Sequence, residues 1–183
     1  MCGIAGFNDP QFTADKAAKL MHTMLDSIRH RGPDNSSLWQ SDAAPITLGH
    51  NRLSIIDLSN HANQPMPYQD LVLIFNGEIY NYIEVRKELQ QAGFSFSTQS
   101  DSEVILAAYK HWGPDCVQRF MGMWAFVIWD KTKQELFCSR DRFGIKPFYY
   151  IHDGKRFYFA SEYKALKHSP IFNNTPNLQQ ISR

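Results

Sequence analysis

Apolar positions along the chain change period several times, and each change marks an element. Residues 3–7 are apolar and glycine-punctuated, which predicts a strand opening almost at the first residue. Ala17, Leu20, Met21, Met24, Leu25 and Ile28 then recur at helical spacing, with Thr13 placed to cap that helix. The turn chemistry of Arg31-Gly32-Pro33-Asp34 stops it. Segments 46–53 and 71–75 read as strands separated by a polar loop, 60–69, that carries Pro65 and Pro67. Two helices with a shared grammar follow. One runs over 82–92, with Asn81 and Glu84 at capping-box spacing and Gly93 at its end. The other opens on Ser100 and Glu103, turns Val104, Ile105, Ala108 and Tyr109 to the core, and ends at Gly113-Pro114. The pattern then turns to strands at 123–129, 135–139, 148–152 and 156–160, the last two joined by the hairpin signal Asp153-Gly154. A short closing helix is expected within 161–168.

Strands and helices therefore alternate irregularly, with a late run of strands, which is an α+β pattern and not a repeating βαβ one. Residues 1–168 are expected to form one domain. Residues 169–183, rich in Asn, Gln and Pro, are expected to begin a linker.

Composition narrows the class. A chain of 183 residues, 43% hydrophobic, can build a full core without covalent staples. Its 19 basic and 18 acidic residues give a net charge of +1, which argues against bulk capture of nucleic acid or an anionic membrane. The longest apolar run, 123–129, is far too short for a membrane span. No basic segment precedes Cys2 as in a secretory signal, so a cytoplasmic protein is expected. Cys2, Cys116 and Cys138 are odd in number and lack C-x-x-C spacing, which disfavours a disulfide framework or structural zinc. Cys116 and Cys138 are expected to be buried structural thiols. The histidines show no metal-ligand spacing, and no glycine-rich loop suggests a phosphate cradle.

Cys2 is chemically distinctive by position. Small second residues favour removal of the initiator methionine, which would give one residue both a thiol and an α-amine. A free thiol is only roughly 3% thiolate at neutral pH, while an α-amine with pKa about 7.7–8.0 can serve as its base. Direct transfer over so short a span is strained, so a bridging water is expected. Taken alone, a buried inert cysteine in a first strand explains Cys2 equally well.

The picture changes when Met1-Cys2-Gly3-Ile4-Ala5-Gly6-Phe7 is read with six downstream blocks. These are Arg29-His30-Arg31-Gly32-Pro33-Asp34, Arg52-Leu53-Ser54-Ile55-Ile56-Asp57, Phe75-Asn76-Gly77-Glu78-Ile79-Tyr80-Asn81 and Ser100-Asp101-Ser102-Glu103-Val104. Arg140-Asp141-Arg142-Phe143-Gly144-Ile145-Lys146-Pro147 and Ser161-Glu162-Tyr163-Lys164-Ala165-Leu166 complete the series. In this order they closely resemble the class II, N-terminal-nucleophile glutamine amidotransferases, above all the glutaminase domain of glutamine-hydrolysing asparagine synthetases.

The resemblance implies a four-layer αββα sandwich of two antiparallel sheets between helices. It implies hydrolysis of the glutamine side-chain amide through a Cys2 thioester, with the Asn76 side chain and the Gly77 N–H as oxyanion donors. Arg52 would hold the α-carboxylate, Asp101 with Glu78 the α-ammonium, and the backbone of Leu53, Ser54, Ile55 and Ile56 would complete the pocket. Arg31 would lie near the nucleophile. No cofactor or metal is expected in this domain. ATP and magnesium are expected in a C-terminal synthetase domain of the same polypeptide, where ammonia would convert aspartate to asparagine. A homodimer of the full-length enzyme is left open.

Each residue also has a plainer reading. Asn76-Gly77 by itself reads first as a hairpin turn. Asp101 suits the first turn of any helix, and Arg52 a surface ion pair. Two other functions stand beside the leading one: a non-catalytic glutamine-binding module, and a class II amidotransferase with a different acceptor.

Overall fold

In the computed structural model, which describes residues 1–53 and 63–175, the strands sort into two antiparallel sheets. The first has the order β2 (Asn35–Gln40), β3 (Ile46–Arg52), β1 (Gly3–Asn8), β9 (Phe157–Ala160) and β8 (Tyr149–His152). The second runs β4 (Met66–Tyr68), β5 (Leu71–Ile79), β6 (Gly122–Asp130) and β7 (Glu135–Arg140). Helices α1 (Ala14–Ser27) and α4 (Tyr163–Leu166) pack on the first sheet, and α2 (Tyr82–Gln91) and α3 (Asp101–Trp112) on the second. The layers are helix, sheet, sheet, helix, as the resemblance implied.

Period-two alternation builds this sandwich. On β5, Leu71, Leu73 and Phe75 join Val104, Ile105 and Tyr109 of α3, while Val72 and Ile74 pack between the sheets with Ile4, Ile46, Leu48, Val127 and Trp129. On β1, Ala5 and Phe7 meet Met21, Met24 and Leu25 of α1. Each of the larger side chains among these contributes about 1.5–3 kcal/mol by burial, so a one-residue slip of either strand would exchange its two rows at a cost of several. Among the described residues, no helix is long and apolar enough to cross a membrane.

Several local expectations are corrected. Asn76-Gly77 is not a turn, because β5 continues through it and pairs with β6 from Leu71↔Asp130 to Ile79↔Gly122. Strands β2 and β4 were not expected from the pattern. Both are edge strands, β2 half-exposed along most of its length and β4 carrying Pro67, so neither needs an apolar alternation. Asn81 does not cap α2. Its side chain donates to Arg119 O at 2.9 Å and accepts from Met121 N at 2.8 Å. Ser100 does cap α3, but Glu103 accepts from Ser97 N and Thr98 N at 2.9 and 2.7 Å and does not return to Ser100. Gly93, with φ +93°, ends α2 in the conformation glycine adopts most easily. Cys116 is fully buried, and burial pushes its thiol up to about 12. Cys138 is only half-buried, because β7 is an edge strand.

Candidate active site

Between the sheets, the apolar rows give way to polar residues at one common end. The β3 row passes from Ile46 and Leu48 to His50 and Arg52, the β5 row from Val72 and Ile74 to Asn76 and Glu78. Cys2 precedes Ile4 on β1, and Gly3 pairs with Asn51, so the start of β1 lies beside the end of β3. His50 joins the sheets here, with Nε2 3.2 Å from Phe75 O. Burial lowers its pKa to about 4, so the ring is neutral at pH 7 and Nε2–H donates to that carbonyl.

The half-buried Cys2 thiol sits against the Leu53 backbone, 3.4 Å from its N and 3.6 Å from its O. Arg31 Nε donates to Cys2 O at 3.0 Å, and its Nη1 bonds Glu162 at 3.1 Å. Glu162 also takes His30 Nε2 at 2.8 Å and Lys164 Nζ at 3.2 Å. Burial works to raise the Glu162 pKa, but bonds from Arg31, Lys164 and His30 outweigh it and hold the carboxyl below its usual range. Ser161 fastens β1 from the same block: its Oγ accepts from Ile4 N at 3.0 Å and its N donates to Ile4 O at 2.8 Å. Two consecutive residues thus fix both the strand that carries Cys2 and the arginine that holds its carbonyl.

Asn76 is 1% exposed, yet its Nδ2 has no hydrogen-bond partner among the described residues. Leaving such a donor unmet costs about 1–3 kcal/mol, which a ligand acceptor would recover. The backbone repeats the theme on the edge of β5 away from β6. Phe75 N donates to Gln64 Oε1 at 2.5 Å and Ile79 N to Asp101 Oδ2 at 3.0 Å, and alternation aims the Gly77 N–H out between them. The neighbouring strand agrees. Trp124, the partner of Gly77, directs its N and O to Asp141 on the β7 side, so Gly77 and Trp124 form a non-hydrogen-bonded pair. On the Gly77 side, β4 pairs only as far as Leu73. A Cβ at Gly77 would lie 2.3 Å from Met123 O and 2.7 Å from Trp124 Cα, so contact with β6 already requires glycine there.

Asp101 opens α3 and is 5% exposed. Burial above all, with the charge of Glu78, raises its pKa to about 6 against backbone bonds that work to lower it. Arg52 is buried at the end of β3, its Nη1 2.6 Å from Asn63 Oδ1. Ser54, Ile55 and Ile56 lie outside the described residues. The structure therefore gathers Cys2, Arg31 and Leu53 by direct bonds, places Arg52, Asn76 and Gly77 at the same end of the sandwich, and sets Glu78 beside Asp101.

Sequence reasoning gave the 140–147 block no place at the site beyond its resemblance, and the structure gives it one. Asp141 Oδ1 accepts from Phe143 N and Ile145 N at 3.1 and 2.9 Å, and Oδ2 from Trp124 N and Lys146 N at 3.2 and 3.0 Å. Burial works to raise its pKa, yet these four N–H groups hold it below the usual range. Arg140 closes the loop by donating to Lys146 O and Gly144 O at 2.7 and 2.6 Å. Lys146 is thereby buried with its Nζ 3.2 Å from Met1 Sδ. An acid and a lysine inside a short glycine-containing block were the available signal.

Residues 1–183 match the family described as "Glutamine amidotransferase domain". The chain is 46% identical over 171 residues to "Asparagine synthetase [glutamine-hydrolyzing] 1" of Bacillus subtilis, covering 91% of this chain and 26% of that protein. It is 39% identical over 174 residues to "Asparagine synthetase [glutamine-hydrolyzing] 3" of the same organism, covering 93% and 28%. The chain thus spans little more than a quarter of these two relatives. Among solved structures, the glutamine phosphoribosylpyrophosphate amidotransferase of B. subtilis superposes with a TM-score of 0.76 at 21% identity, covering 91% of this chain and 43% of that one. At that identity the likeness is one of fold.

Proposed function

The chain belongs to the glutamine amidotransferase domain family, and on that premise we propose that it hydrolyses the side-chain amide of glutamine with Cys2 as nucleophile. The Cys2 sulfur attacks the amide carbon, and its proton passes, through a water, to the α-amine freed by loss of Met1. The Asn76 Nδ2–H and Gly77 N–H receive the developing oxyanion. As the C–N bond breaks, that proton leaves with ammonia and a thioester remains. Water then adds to the thioester, giving glutamate and restoring the thiol. Arg52 pairs with the substrate carboxylate, Asp101 and Glu78 with its ammonium, and Leu53, Ser54, Ile55 and Ile56 line the pocket with backbone.

One observation carries this reading: two adjacent residues, Asn76 and Gly77, offer amide donors that nothing in the described protein claims, at the end of the sandwich where Cys2 lies. The N–H groups on either side of Gly77 are already taken by side chains, which singles out the middle one. The two B. subtilis relatives support a further step, in which the ammonia serves asparagine synthesis from aspartate. In this proposal ATP and magnesium belong to a synthetase portion and not to these residues. Glutamate and ammonia released from glutamine by the purified protein, and abolished in Cys2→Ala, are the expected results. Full hydrolysis by Cys2→Ala would remove the nucleophile from the scheme.

A further inference from the structure

Lys146 is a buried cation whose side chain has no acidic hydrogen-bond partner among the described residues. Among those residues its Nζ meets only the Met1 thioether, a weak acceptor, on the residue that precedes the nucleophile. The backbone around it is rigid, since Asp141 takes Lys146 N and Arg140 takes Lys146 O. The ammonium is held where it is by the loop and not by a salt bridge. The charged groups that act on it are Arg31, Cys2, Glu78 and Asp141. Burial first, then the Arg31 guanidinium, lower its pKa, while Cys2, Glu78 and Asp141 work to raise it.

We propose that Lys146 is a positioning residue of the Cys2 site, supplying with Arg31 the positive field in which the thiol and the processed amine work. The inference rests on the Cys2 reading above. Two effects of that field point the same way. A neighbouring cation favours a thiolate over a thiol, and it disfavours an ammonium over the free amine. Loss of Met1 removes the thioether from Nζ. Arg31 adds to that field from the side of the Cys2 carbonyl, where Nε and Nη1 hold Cys2 O and Glu162.

The test is the pH profile of Cys2 alkylation by iodoacetamide in the full chain, located by peptide mass, for wild type, Lys146→Met and Lys146→Arg. A nearby opposite charge moves a titration by about one to three units, and with Arg31 still present the low end applies. Lys146→Met should shift the alkylation midpoint upward by about one unit and slow alkylation at pH 7 about tenfold. Lys146→Arg should restore the wild-type profile. Urea unfolding of each variant reports whether the fold survives. A midpoint unmoved in folded Lys146→Met, or moved equally in Lys146→Arg, overturns the proposal. Because alkylation does not depend on glutamine turnover, a wild type that fails to hydrolyse glutamine would count against the proposed function and leave this comparison intact.

Discussion

Replacing Asp101 with Asn should make the ligand-free protein more stable while removing the grip on a substrate ammonium proposed for this residue. Burial and the charge of Glu78 raise the Asp101 pKa from 3.8 to about 6. The folded state therefore binds this proton more tightly than the unfolded chain, and stability falls as pH rises from about 4 through 6. At about 1.4 kcal/mol per unit, keeping the carboxylate charged at pH 8 costs the fold about 3 kcal/mol. Asparagine carries no charge and keeps an oxygen for Ile79 N. Asp101→Asn should thus exceed wild type by up to about 3 kcal/mol at pH 8, or up to about 10 °C in Tm, and by under about 1 kcal/mol at pH 4. Urea unfolding without glutamine at pH 4, 6 and 8 measures the gap. Glutamine should then raise the Tm of wild type at pH 8 and leave that of the variant unmoved. A variant less stable than wild type at pH 8, or a gap independent of pH, would refute the reasoning.

Two other substitutions separate chemistry from architecture. Asn76→Ala removes a buried amide whose Nδ2 has no partner among the described residues, so kcat for glutamine hydrolysis should fall about 10²–10³-fold with little loss in urea midpoint. Gly77→Ala forces a Cβ against Met123 O and should destabilise the fold by roughly 1–3 kcal/mol, read as a lower urea midpoint. An unchanged midpoint there would contradict the close approach of β5 and β6.

The two periods in the sequence foretold most of the sandwich, because burial enforces them. Where burial is weak the pattern is silent. Asn35–Gln40 reads as polar since an edge strand needs no continuous apolar row, and Met66–Tyr68 is too short and carries a proline. Local signals failed where long-range pairing outweighed them. Asn76-Gly77 has hairpin chemistry, yet nine consecutive pairs with β6 hold it extended. Asn81 and Glu103 found better partners in Met121 and in Ser97 and Thr98 than in their own helix ends. The site was legible as a set of blocks, but not the division of labour within them. Nothing in the order of residues says that Glu162 anchors Arg31, or that Asp141 folds a loop to deliver Lys146. Those contacts join positions more than a hundred residues apart, or depend on a carboxylate collecting four N–H groups at once.

The first strand carries a practical consequence. β1 lies inside its sheet, paired with β3 on one side and β9 on the other, while Met1 is 55% exposed at its free end. An affinity tag fused ahead of Met1 meets no wall of packed side chains, so such a product should express, fold and melt like the untagged protein. Under the proposed chemistry it would still be inert, its base locked in a peptide bond. Quality control by folding alone would pass a dead enzyme, and tags belong at the other terminus.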